Sequence, residues 1–244
     1  MPRDRAPGTV AVRLLAFPGV DDLDLLGAYG VLSKAAELTR AGPPPWLEVA
    51  LVADRAQLET AGGLRLSVQT GLDEVSSPDV VVVPGGRGVR QVLEAPAYLD
   101  YLRAAHRSGA ALYSVCSGAL LVAAAGLAAG ATLAIHAAKR DALTELAAGC
   151  RPGTGLVRDG SLTSVGGDRS GSVKSVDLAL QLVADHAPRV LPELLDRMEL
   201  RQGRTLVTVP AGRSEGDRAA EAPRTTGPDR AAGASRATAG ADRP

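Results

Sequence analysis

Four consecutive valines at 80–83 are preceded by Asp79 and halted by Pro84-Gly85-Gly86. A half-exposed strand alternates apolar and polar residues; an unbroken β-branched run has no polar face and belongs in a sheet covered on both sides. Parallel sheets meet that requirement, because their crossover helices cover both faces. The rest of the chain is compatible with such a sheet. Residues 10–17 form a strand ending at Pro18-Gly19, and Leu23, Leu25, Leu26, Val31 and Leu32 mark an amphipathic helix to about Arg40. Trp46–Ala53 reads as a second strand.

Residues 57–59 and 64–68 flank Gly62-Gly63 as a hairpin, and 88–107 is mostly helical, with Pro96 starting its second piece. Residues 111–115 are a strand, followed at once by an Ala/Leu-rich helical pattern. A short strand is expected near 132–135, a helix over 137–148, a hairpin over 155–165, and helices over 173–187 and 188–201. Strands alternating with helices imply a doubly wound α/β sheet whose ligand crevice lies outside the carboxyl ends of its strands.

Three stretches follow strand ends and are expected at that crevice: 18–24, Gly85-Gly86 and Cys116. Cys116 falls between strand and helix, where the turn pushes its sulfur outward and the Ser117 N–H is placed to meet an oxyanion. Helix-terminal N–H groups there are expected to lower the thiol pKa below the ~8.5 of free cysteine. The alternative is a buried cysteine acting as a small hydrophobe. Asp24 lies between Leu23 and Leu25, where desolvation is expected to raise its pKa and suit it to proton transfer. It could instead cap the following helix, a role that Asp22 fits better. The backbone N–H groups of Gly86 and Ser117 are candidate oxyanion donors.

His136 is a candidate base, but its loop follows a different strand, and a buried structural histidine fits it better. Three histidines without ligand-like spacing give no metal motif. Cys150, in an Ala-Gly-Cys-Arg-Pro stretch, reads as an incidental surface thiol.

The 244 residues carry 27 basic and 27 acidic side chains, a balance that points to neither nucleic acid nor an anionic membrane as partner. Two cysteines make no disulfide framework, residues 10–17 are broken by Arg13 and form no signal-peptide core, and 119–134 is interrupted by Gly126 and Gly130. A cytoplasmic protein is therefore expected. The α/β domain is expected over 1–202. From 203 to 244 Ala, Gly, Arg, Thr and Pro predominate, and a disordered tail is expected from about Ser214.

FPGVDDLDLLGAYGVL, VVVPGGRGV, SVCSGALLVAAAGLAAG and LVRDGSLTSVGG, in this order, resemble the ThiJ/PfpI superfamily, whose fold is class I glutamine-amidotransferase-like. Within it the chain is most similar to the isocyanide hydratase branch. The resemblance implies a flavodoxin-like sheet with a nucleophile elbow at Cys116, and Asp24 as the acidic residue contacting that cysteine. It also implies Ser117 in place of the usual threonine, and Gly86 as the backbone donor of the PGG loop. In that chemistry the thiolate attacks R–N≡C to give a thioimidate, Asp24 shuttles protons, and a formamide leaves without a metal or organic cofactor. A homodimer acting on a small molecule is implied as well.

The chain departs from the branch at three places. It has Gly27-Ala28 where Gly-Pro is usual, Ile135-His136-Ala137 in place of threonine–histidine–tryptophan, and a longer, more polar loop over 166–175. Gly27, His136 and Gly167 are accordingly candidate pocket residues. Two other functions share the fold. One is a cysteine-dependent glyoxalase, deglycase or oxidative-stress protein; the other is a ligand-binding module related to AraC-type sensor domains, although the 203–244 tail is too short and polar to supply a helix-turn-helix pair.

Overall fold

The computed structural model describes residues 6–68, 70–73 and 77–210. In chain order these form β1 (Thr9–Leu15), α1 (Asp22–Thr39), β2 (Trp46–Ala53), β3 (Gln57–Glu59), β4 (Arg65–Ser67), β5 (Thr70–Gly71) and β6 (Val80–Val83). Then come α2 (Val89–Val92), α3 (Pro96–Arg107), β7 (Ala111–Val115), a 3-10 turn at Cys116–Gly118 and α4 (Ala119–Ala124). The remainder is β8 (Thr132–Ala134), a 3-10 turn at Ala137–Lys139, α5 (Arg140–Leu146), β9 (Arg151–Gly153), β10 (Gly155–Asp159), β11 (Leu162–Gly166), α6 (Lys174–His186), a 3-10 turn at Pro188–Val190, α7 (Leu191–Arg197) and β12 (Leu206–Thr208).

The valine run lies where its composition requires. β6 is inside an eight-stranded sheet of order β12-β10-β11-β7-β6-β1-β2-β5, and all four valines are at most 1% exposed. Its neighbours β1 and β7 are both parallel to it, with Val12 opposite Val80 and Ser114 opposite Val83. The order β2-β1-β6-β7-β11 is the flavodoxin-like arrangement, with the strand order reversing at β1. Helices flank the sheet: α1 packs with α6 and α7, and α4 with α2, α3 and α5.

The sheet is mostly rather than wholly parallel. β10 pairs antiparallel with β11 through the expected hairpin, and β12 follows β10 in parallel, so this edge runs against the rest. Both β12 and β9 are absent from the sequence reading, because three residues are too few to show a period. β12 continues the sheet beyond residue 202; the expected disorder from Ser214 concerns residues outside those described. β8 pairs with β9 in a small separate sheet, so Cys150, beside β9, is buried in the core rather than at the surface. The helix expected over 188–201 stops at Arg197, two residues before Glu199 takes a φ of 51°.

Among the described residues no helix is long and apolar enough to cross a membrane.

Candidate active site

The loops after β1 and β6 are tied to each other before any side chain contributes. The Asp21 N–H donates to the Gly85 carbonyl at 2.9 Å, and the Gly88 N–H to the Gly19 carbonyl at 3.0 Å. Gly86 holds φ +138°, and a Cβ there would come within 2.4 Å of the Asp21 nitrogen, so only glycine permits this approach. Asp21, not Asp22, caps α1: its carboxylate accepts from the Leu23 and Asp24 N–H groups at 3.0 Å each. Asp22 instead accepts from the Thr60 hydroxyl and the Gly62 N–H, anchoring the β3–β4 hairpin. Asp24 is thereby free of capping, and its carboxylate accepts from the Gly85 N–H at 3.2 Å.

Cys116 follows β7 with φ 55°, in the left-handed region that a non-glycine residue seldom occupies. The corner is held close to β6: a Cβ on Gly118 would stand 2.1 Å from the Val83 carbonyl oxygen. Ser117 is buried, and its Oγ accepts from the Gly86 N–H at 3.1 Å. That N–H is therefore engaged with Ser117 rather than open to the pocket.

Cys116, Ser117, Asp24 and Gly86 line one cavity of about 610 Å³, together with Asp21, Leu23, Val89, Leu120 and His136. The size suits a small organic molecule. Burial, reinforced by the Asp21 charge, raises the Asp24 pKa to about 6, as its position between leucines predicts. The thiol departs from expectation. Burial pushes the Cys116 pKa up to about 11, the Asp24 charge adds to the rise, and the Ser117 N–H and Lys174 only partly oppose it. The reason is that only a 3-10 turn and the six-residue α4 follow the cysteine, too little helix to offset desolvation.

His136 lies at the pocket, exposed rather than buried. Its Nδ1 accepts from the Ala138 N–H at 3.1 Å, which turns that nitrogen to the backbone and leaves Nε2 as the ring atom free of it. Gly27 and Gly167 do not line the cavity. A Cβ on Gly27 would meet the Ser175 Oγ at 2.4 Å, so Gly27 serves α1–α6 packing; one on Gly167 would meet the Ile135 carbonyl oxygen at 2.7 Å. The cavity also takes in Arg87, Arg90, Lys139 and Lys174, which the sequence reading missed. These exposed or half-buried cations come from three segments and share no local pattern. Among the described residues no group of three or more His, Cys, Asp or Glu side chains is arranged to hold a metal ion.

A strand-end thiol and a desolvated carboxylate thus share one cavity in a flavodoxin-like α/β protein. The chain belongs to the DJ-1/PfpI family, whose model matches residues 10–181. It is 35% identical over 173 residues to an isonitrile hydratase of Pseudomonas putida, covering 70% of this chain and 72% of that protein. It is 26% identical over 204 residues to the HTH-type transcriptional regulator GbdR of Pseudomonas aeruginosa, covering 81% of this chain but spanning only 52% of the regulator. Among solved structures, a ThiJ/PfpI family protein from Pseudomonas syringae superposes with a TM-score of 0.68 at 22% identity, over 79% of this chain and 75% of the other.

Proposed function

We propose that this protein is a cofactor-free isocyanide hydratase that converts R–N≡C and water to an N-formamide through Cys116 and Asp24. The observation that carries the reading is the cavity shared by the Cys116 thiol and the Asp24 carboxylate, whose pKa is raised to about 6. At neutral pH the pair rests as thiol and carboxylate, so Asp24 is a base poised to take the thiol proton. Sulfur bonds to the isocyano carbon as that proton passes through Asp24 to the same carbon, giving the thioimidate R–N=CH–S–Cys116. Water then adds to the carbon while Asp24 relays one of its protons to nitrogen. The C–S bond breaks, sulfur recovers a proton from the new hydroxyl group, and R–NH–CHO leaves. Atoms and electrons balance with no metal or redox partner. Ser117, held by Gly86, is placed to orient the added oxygen.

The similarity to the isonitrile hydratase supports the same chemistry. The similarity to GbdR favours a second reading, a ligand-binding module without turnover. A homodimer belongs to the first reading, and sedimentation would measure it.

Turnover of a simple alkyl isocyanide by the wild type and Cys116→Ala separates these functions. Formamide from the wild type alone supports the hydratase. If neither protein yields formamide, the hydratase reading falls. Rapid reaction of Cys116 with glyoxals would then indicate a deglycase-like relative, and ligand binding without turnover a sensor module.

A further inference from the structure

The cavity beside Cys116 carries more positive charge than its chemistry uses. Arg87, Arg90, Lys139 and Lys174 line it against only two carboxylates, Asp21 and Asp24. Hydration of an uncharged isocyanide creates no lasting anion for four cations to hold. Two of them have electrostatic counterparts: Arg87 acts on Asp22, and Lys174 on Asp24 and Cys116. Arg90, on α2, and Lys139, in the turn after His136, have neither an ion pair nor a side-chain hydrogen bond to any described residue.

Elsewhere in the fold several arginines are paired. Arg13, Arg103, Arg158 and Arg204 each hold a carboxylate within 2.9 Å. Apolar surface is present too, from Val89, Leu120 and Leu23, the last 58% exposed. A ligand matching these walls has an apolar stem and an anionic end.

Building on the hydratase reading, we infer that the substrate is an isocyanide bearing a carboxylate remote from its reacting carbon, held by Arg90 and Lys139. The isocyano carbon faces Cys116 and Asp24 while the carboxylate takes the surplus positive charge. A mono-anion leaves the pocket's charges closer to balance, and their field steers the substrate inward. Lys139 is half-buried, so its contact is better shielded from salt than one made by the exposed Arg90.

The test compares an ω-isocyano carboxylate with its methyl ester in the wild type and in Arg90→Gln/Lys139→Gln. The companion measurement is calorimetric binding of the matching ω-formamido carboxylate and its ester to both proteins. At low salt the wild type is expected to prefer the carboxylate by about tenfold or more in kcat/KM, with the ratio falling toward one in added salt and in the double variant. Equal use of both isocyanides, or preference for the ester, would overturn the anion site and leave hydration standing. If neither is hydrated but the wild type binds the formamido carboxylate more tightly than its ester, and the double variant loses that difference, the anion site holds and the hydratase reading fails. With neither turnover nor a difference in binding, both readings fall.

Discussion

Around Arg204 and around Cys116 the chain gathers the same kinds of charged side chain, with opposite results. Arg204, 6% exposed, donates to Asp168 at 2.9 Å and to Asp177, itself fully buried, at 2.5 Å. The Ser172 hydroxyl and Gly203 N–H also donate to Asp177, at 2.6 and 2.8 Å. Every charge there is answered, and the cluster fastens the segment before β12 to the loop before α6. In the Cys116 cavity, Asp24 is desolvated with one backbone donor, and Arg90 and Lys139 have no partner among the described residues. Paired charges hold a fold together, whereas charges left unanswered in a cavity are available to a ligand.

The sharpest break of this contrast is Arg204→Met, which leaves Asp177 buried without its cation. A loss of about 3–5 kcal/mol is expected in denaturant unfolding; a loss below about 1 kcal/mol would show that the cluster is not structural. Asp24→Asn should do the reverse, trading activity for stability. On the proposed mechanism, removing the Asp24 carboxylate is expected to lower kcat/KM by about 10²–10⁴.

The same change removes a charge that folding desolvates. Because the folded pKa of about 6 lies above the ordinary 3.8, ionised Asp24 opposes folding fully above pH 6 and not at all below about pH 4. Asp24→Asn is thus expected to gain about 1–2 kcal/mol at pH 7.5, after discount for partial exposure, and nothing at pH 3.5. Equal unfolding midpoints at both pH values would remove the desolvation argument.

The wild-type pH profile refines the picture further. kcat/KM should fall about tenfold per pH unit below pH 6 as Asp24 protonates, and stay flat from 7 to 9, because the thiol titrates only near 11. A rise through pH 8–9 would indicate a thiolate as the resting nucleophile. Least of all, Arg90→Gln should move stability by no more than about 0.5 kcal/mol, since it breaks no ion pair or side-chain hydrogen bond with a described residue.

Much of this was legible in residue order. The Val80–Val83 run, the break at Pro84-Gly85-Gly86 and the strand-to-helix switch at Cys116 are local signals, and each stands in the sheet as read. Asp24 was legible because a carboxylate between Leu23 and Leu25 conflicts with its surroundings. Which aspartate caps α1 was not, because Asp21 and Asp22 differ by one position and only the backbone path decides between them. β12 was missed because its three residues acquire meaning only beside β10.

Local signals set the succession of the main strands and helices, the crevice at the strand ends and the residues at its three loops, because periodicity and turn chemistry act over a few residues. Which charges meet and which do not was settled by the folded chain alone. It half-buried Cys116 in the cavity it shares with Asp24, reversing the expected direction of the thiol pKa, and joined Arg204 to Asp177. It also brought Arg87, Arg90, Lys139 and Lys174 to one cavity. Desolvation and Coulomb energy depend on distance through space and on the medium between charges, and neither is written in the spacing of residues along the chain.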